Sequence, residues 1–279
     1  QLEEDIEEGN IMIFSAAQVF SARSAGAGVN LEKGETLWYP SNLGHYNTCK
    51  FYVNGKLAYC IQSHKASPPS GAYVAQVLDS NKNLQKALYY GYGGAGDISA
   101  SYLAGKSVDE RYIYTHIAAS YAYAGDYAFE GCTYENLVNA GVIAYINYLF
   151  GMEEPPKGEL SLSMNNVKAA REGGRQSTPD MKLNGDHRNY ITITVPENVT
   201  IHNHTKGTAQ TNGSMNVYGG DTFYLDAGLD VTGSYSSGNL YGSVGETWRT
   251  LVVSTGNETQ DIGVFESESA APVSFQVEW

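Results

Sequence analysis

A cysteine thiol and a glutamine carboxamide can condense, with loss of ammonia, into an internal thioester, an activated acyl group that a target amine can capture once. Cys60, in Tyr59-Cys60-Ile61, and Gln260, in Gln260-Asp261-Ile262-Gly263, are the residues read as that pair. Taken singly, each triplet has an ordinary reading. Free Cys is among the most buried residue types, and a strand Gln usually faces water. Gln62 shares a strand face with Cys60 but lies about 7 Å along it, and Gln210 has no aliphatic residues after it, so both are poorer partners than Gln260. A thiol titrates near pH 8.5 in water, so its attack on a carboxamide needs a proton acceptor and a fold that holds the groups together. Well-held partners reach effective molarities of about 10⁵ M. His116 is the nearest helical candidate for a base. A Cys60–His116 nucleophile–base dyad, with Asp126 orienting the imidazole, is therefore the second reading, and an inert thiol in a non-covalent binding module is the third.

Three cysteines in 279 residues leave at least one outside any intrachain disulfide. Asn54-Gly55 is a two-residue hairpin signal that sets Val53 opposite Lys56 and Cys49 opposite Cys60. Facing Cα atoms at such a hydrogen-bonded position are about 5.5 Å apart, a spacing that admits a Cys49–Cys60 bridge. Cys132, before a helix, is an alternative partner for Cys49 that would leave Cys60 alone.

Those residues need elements to carry them. Residues 10–62 read as strands and turns. Val77, Leu78, Leu84, Leu88 and Tyr89 lead into a Gly-rich helix ending at Tyr90-Gly-Tyr-Gly-Gly94. Ser107 or Asp109 caps a second helix with Tyr112, Ile113, His116, Ile117, Ser120 and Tyr121 at helical spacing. A third runs from about Thr133 to Phe150 and stops before Pro155-Pro156. Strand alternation resumes at Tyr190–Val195 and Val199–Ile201 and continues to Val273–Val277. The expected fold is α+β, a β-sandwich with an inserted α-helical subdomain. It is read as a single domain over 1–279, with 1–72 and 186–279 in the sandwich, 73–152 as the insertion and 153–185 as an irregular connection. The apolar run Ile11 to Phe20 falls short of the roughly 18–20 residues a bilayer span needs.

Charged residues make up only 17% of the chain, while Gly (31) and Tyr (22) abound, a balance that suits an extracellular, turn-rich β protein. The net charge of −13 disfavours nucleic acid and anionic membranes as partners. No phosphate loop, paired-cysteine metal spacing or His-Glu-x-x-His helix is present, so no cofactor or metal is expected. His202 and His204 alternate on a strand, and Asn198, Asn203, Asn212 and Asn257 head acceptor-like triplets; all are read as plain strand and turn residues.

In this order the motifs resemble the thioester domains of Gram-positive surface adhesins, from about residue 35 to the end. The aromatic-Cys-aliphatic triplet Tyr59-Cys60-Ile61 precedes Tyr89-Tyr90-Gly91-Tyr92-Gly93. The family's helical Thr-Gln-x-Ala-aliphatic-Trp element is matched by Thr115-His116-Ile117-Ala118-Ala119-Ser120, with His for Gln and Ser for Trp. The late Gln is Gln260, preceded by Thr259 in place of an aliphatic or aromatic residue. The resemblance implies a Cys60–Gln260 thioester across two strands, Thr115 and His116 shaping its pocket, and Tyr59, Tyr90 and Tyr92 lining it. It further implies a single-turnover covalent binder rather than an enzyme, located extracellularly on a cell-wall-anchored protein. The implied partner is an amine-bearing host or matrix protein, fibrinogen-like, attacked through a lysine.

Overall fold

In the computed structural model, residues 28–279 are described; the apolar run Ile11 to Phe20 and the strands expected before residue 28 lie outside them. The chain divides into two compact units, one of residues up to 155 with 249–266 and one of 156–248 with 267–279.

The first unit is a closed six-stranded barrel carrying a helical block. Its early strands are β1 (Val29–Trp38), β2 (Asn47–Val53), β3 (Lys56–Cys60) and β4 (Gly71–Val77). Two late strands, numbered in chain order, are β14 (Glu246–Ser254) and β15 (Ile262–Ser269). The order around the barrel is β1-β2-β3-β15-β14-β4. The hairpin register is as read from sequence, with Val53 opposite Lys56 and Phe51 opposite Ala58. The left-handed Asn54 and Gly55 make that turn. Alternation fills the barrel with Leu31, Cys49, Phe51, Ala58, Cys60, Val253, Ile262 and Val264 among others, the way small barrels use their inward positions.

The outward positions of the same strands, Tyr59, Ile61 and Val252, join a second core under the helices. Helix α1 (Lys82–Tyr90) is capped by the Asn81 side chain, and α3 (Val108–Ala124) by Ser107; the short α2 (Ser99–Tyr102) lies between them. The third helix expected from sequence is two, α4 (Tyr134–Asn139) and α5 (Val142–Gly151), because Gly141 adopts a left-handed conformation that interrupts the helical path. None of the helices among the described residues is long and apolar enough to cross a membrane.

The second unit is a β-sandwich. One sheet holds β11 (Thr208–Tyr218), β10 (Tyr190–Asn203), β12 (Thr222–Gly228), β8 (Arg175–Ser177) and β7 (Ala170–Glu172), with β9 (Met181–Asn184) and β5 (Ser161–Leu162) at its side. The other orders β13 (Ser234–Ser236), β16 (Gln276–Glu278) and β6 (Asn166–Lys168). Both contribute to one core, including Ile191, Ile201, Phe223, Leu225, Phe275 and Val277.

The α+β class, the sandwich and the helical insertion are therefore present, with a different division of the chain. The sheet that carries Cys60 closes into a barrel, and residues 186–279 are shared between that barrel and a separate sandwich. The stretch 153–185, read as irregular, carries five strands of two to four residues, too short for alternation to register in sequence. The two strands read at 190–195 and 199–201 are one, bent by a bulge between Val195 and Thr200 where Asn198 is left-handed.

Candidate functional site

Strand β15 lies antiparallel beside β3 with Ile262 opposite Cys60, Gly263 opposite Tyr59 and Val264 opposite Ala58. Cys60 is fully buried, its side chain in the barrel interior. Alternation back from Ile262 places Gln260 on that same side, diagonal to Cys60, a relation that puts Cα atoms about 7–8 Å apart, within reach of long side chains. The two residues that the sequence sets 200 positions apart are thus brought close along the chain path, Gln260 lying two residues before the start of the strand that pairs with β3. Gln260 is also buried, and its carboxamide oxygen has no hydrogen-bond partner.

The backbone around Gln260 is closely held. Its N–H donates to the Ala66 carbonyl at 2.8 Å, its own carbonyl accepts from the Thr255 hydroxyl at 2.7 Å, and Thr259 bridges to Ala66. Thr259 spends its hydroxyl on the Thr255 carbonyl and hydroxyl, tightening the turn before the Gln. Gln62 accepts the Asp261 N–H at 2.9 Å, so this rival glutamine is a clamp on the backbone beside Gln260.

On the outer side of β3, α3 grips the strand. The His116 Nδ1–H donates to the Cys60 carbonyl at 2.7 Å, and the Ser120 hydroxyl reaches the same oxygen at 3.3 Å. A carbonyl only accepts, so Nδ1 carries the proton and the buried Nε2 is a bare, unpartnered acceptor. Burial holds His116 neutral, down to about 4, despite the opposing bond to Cys60. The imidazole therefore meets the backbone of Cys60 and not its sulfur. Burial, and then the neighbouring Cys49 thiol, push the Cys60 thiol far up.

Thr115 accepts the Tyr92 N–H at 3.0 Å and bonds the Tyr145 hydroxyl at 2.9 Å. It packs so close to Gly91 that a Cβ there would overlap Thr115 and the Ala87 carbonyl, which explains the Gly-rich helix end. Tyr59 stacks on Tyr112 and donates to the Tyr92 carbonyl at 2.5 Å. The Tyr112 hydroxyl bonds the Cys49 and Ala58 carbonyls. Tyr90 is buried and donates to the Glu153 carbonyl. Tyr59 thus ties β3 to Tyr92, which Thr115 in turn holds, while Tyr90 is bound to Glu153.

Sequence reasoning passed over Asp261, a buried carboxyl that accepts from Tyr123 at 2.9 Å and whose affinity for its proton burial raises. It stands directly after Gln260, a position that marked it for attention. Asp126 forms part of a short turn after α3. Cys49, Cys60 and Cys132 are all free thiols, and Cys132 donates to the Leu43 carbonyl. In the sandwich, His202 pairs with Asp226 and stacks on Tyr224, and Asn203 is buried against Asp221. Among the described residues no cluster of His, Cys, Asp or Glu is arranged to hold a metal.

Residues 28–156 match a family model described as a thioester domain, and residues 161–244 match one described as a TED associated beta sandwich domain. No curated protein matches the chain. Among solved structures, the Bacillus anthracis TIE protein aligns over 91% of this chain at a TM-score of 0.53 and 14% identity, a likeness of fold. The chain spans 49% of that protein's length. The thioester domain of the Enterococcus faecium TIE86 protein aligns over 90% of this chain and 96% of its own, with 16% identity and a TM-score of 0.44, too low to argue from.

Proposed function

We propose that this chain, which belongs to the thioester domain family, holds an internal thioester between the Cys60 sulfur and the Gln260 acyl carbon and uses it once, to bind an amine covalently. The observation that supports the reading is the Gln260 carboxamide, buried without a partner for its oxygen, two residues before the β15 position that pairs with Cys60. A buried carbonyl oxygen normally finds a donor. Here the group is held ready for another use. Attack by the thiol expels ammonia, and the clamps on residues 260 and 261 keep the acyl carbon in place, so that proximity offsets the uphill exchange of amide for thioester.

The amine is a lysine of an extracellular protein of the host or its matrix, fibrinogen-like in the family's manner, and the chain works outside the cell as part of a surface-anchored adhesion protein. Turnover is not needed, since aminolysis leaves a stable amide. The Cys60–His116 hydrolase reading has weaker support, because the imidazole is committed to the Cys60 carbonyl and held neutral.

Intact mass of the native protein tests the proposal. The wild type is expected one ammonia lighter than its sequence and to gain one methylamine on exposure; Cys60→Ala is expected at full mass and inert. A wild type at full mass, or a light wild type that ignores methylamine as an isopeptide bond would, overturns it.

A further inference from the structure

Helix α3 reaches both chain segments of the proposed bond. His116, Ser120 and Tyr123 stand four and then three residues apart, a spacing that sets them along one face of the helix, and all three are buried. The first two bond the Cys60 carbonyl, at 2.7 and 3.3 Å. Tyr123, which belongs to the core under the helices, donates its hydroxyl to the Asp261 carboxyl at 2.9 Å. Asp261 follows Gln260 directly, and its main chain is fixed as well. Gln62 Oε1 accepts its N–H at 2.9 Å, and its carbonyl accepts the Ile61 N–H at 3.0 Å. Ile262, the next residue, pairs with Cys60 across the two strands. The bonds therefore form a closed circuit, from Cys60 through α3 to Asp261 and back through Ile61 to β3. Burying a carboxyl costs free energy unless it is bonded, and here the bond it makes is the one that closes the circuit.

Building on the thioester reading, we propose that Asp261, held by Tyr123, is a positioning residue that fixes the Gln260 acyl carbon relative to the Cys60 sulfur while the thioester forms. In that step the sulfur–carbon bond forms as the carbon–nitrogen bond of the carboxamide breaks, and the thiol proton leaves with the amide nitrogen as ammonia. Neither Asp261 nor Tyr123 exchanges a proton with the reacting atoms. Their part is to stop the segment at Gln260 from turning or sliding along β3, which keeps the two groups at high effective concentration. Once the bond exists, the covalent link itself holds the two residues together. The Asp261–Tyr123 contact therefore serves formation of the thioester and not its capture of an amine.

Two rates test the assignment. Intact mass of newly made protein, sampled over time, gives the rate of ammonia loss, and methylamine uptake by the molecules that have lost it gives the rate of capture. Asp261→Ala is expected to lose ammonia about 10²-fold more slowly, the cost of a small misplacement of reacting groups, and to capture methylamine at the wild-type rate. Asp261→Asn, which keeps an acceptor for the Tyr123 hydroxyl, is expected to recover most of the rate of formation. Ammonia loss at the wild-type rate in Asp261→Ala, or capture slowed in step with formation, overturns the positioning role and leaves the thioester reading standing. A wild-type protein at full mass overturns the thioester reading, and this one with it. Should Asp261→Ala not fold, Tyr123→Phe decides: slower ammonia loss with unchanged capture supports the assignment, and unchanged ammonia loss overturns it.

Discussion

Asp221 in the sandwich accepts from the Asn203 amide, the Lys206 ammonium and the Tyr218 N–H. Asn189 likewise bonds the Gly158 carbonyl and the Val244 N–H, and Asp186 the Arg188 side chain. In the barrel unit, Gln260 Oε1, His116 Nε2 and the Thr250 hydroxyl are just as buried and bond to nothing. Both units place polar groups in their interiors. The sandwich uses them to pin turns, and among the described residues Gln176 Oε1 is its one buried side-chain acceptor left open. The barrel unit leaves more such groups open, and they extend to Ser99 and Arg111 in the helical block as well as to Gln260 and His116. Buried polar atoms without partners cost stability, and among the described residues the barrel unit carries more of that cost than the sandwich.

The largest single effect on stability is expected from breaking the proposed thioester. Methylamine-opened protein is expected to be less stable than the intact form by about 3–5 kcal/mol in denaturant titration, the loop-entropy worth of a cross-link spanning a long loop. Equal stability of the two forms would break the comparison at its centre. Next, Asp221→Ala is expected to cost about 2–3 kcal/mol by stranding three donors, with methylamine uptake unchanged. A loss of uptake in that variant would show that the sandwich's polar groups serve the site as well. Tyr112→Phe comes below both: removing a hydroxyl shared by the Cys49 and Ala58 carbonyls is expected to cost about 1–2 kcal/mol in thermal melts.

Acid separates the units by sign and window. His116 is held down to about 4 from an ordinary 6.5, so the unfolded chain binds a proton first and barrel stability falls as pH drops from 6.5 toward 4. Asp186 is pushed up by burial, but the Arg188 guanidinium and the Arg188 and Lys157 N–H groups outweigh that and bring it from 3.8 to about 2. Its contribution is complete above 3.8 and is lost as pH falls toward about 2. Hydrogen exchange across pH is expected to show the barrel loosening before the sandwich, with His116→Gln removing the earlier window and Asp186→Asn the later. The smallest effect is at the surface. Lys106→Ala, which removes a pair with Glu110 one turn along, is expected to cost about 0.3 kcal/mol and to leave both the chemistry and the contrast untouched.

The hairpin at Asn54-Gly55, the Ser107 helix cap, the helix start near Thr133 and the resumption of strands at Tyr190 were legible because each rests on neighbours in sequence. The break at Gly141 and the short strands of 153–185 were not, since one left-handed residue or two-residue pairings leave no period to detect. His116 illustrates the limit for the site. Its type and helical position were evident, and they suggested a base beside the sulfur. Side-chain direction about β3 decides otherwise, because a strand turns its carbonyl and its side chain to different surroundings and the helix meets only the carbonyl.

Residue types and order determined which chemistry is available: a thiol at Cys60, a carboxamide at Gln260 and a capped helix between them. Tertiary structure decided that β15 runs beside β3 with Ile262 opposite Cys60, that the sheet closes into a barrel, and that Gln62 holds the backbone after Gln260. Those outcomes depend on register and on which face of a strand is enclosed, and both are settled by pairing between segments far apart in the chain, whose sequences carry no record of one another.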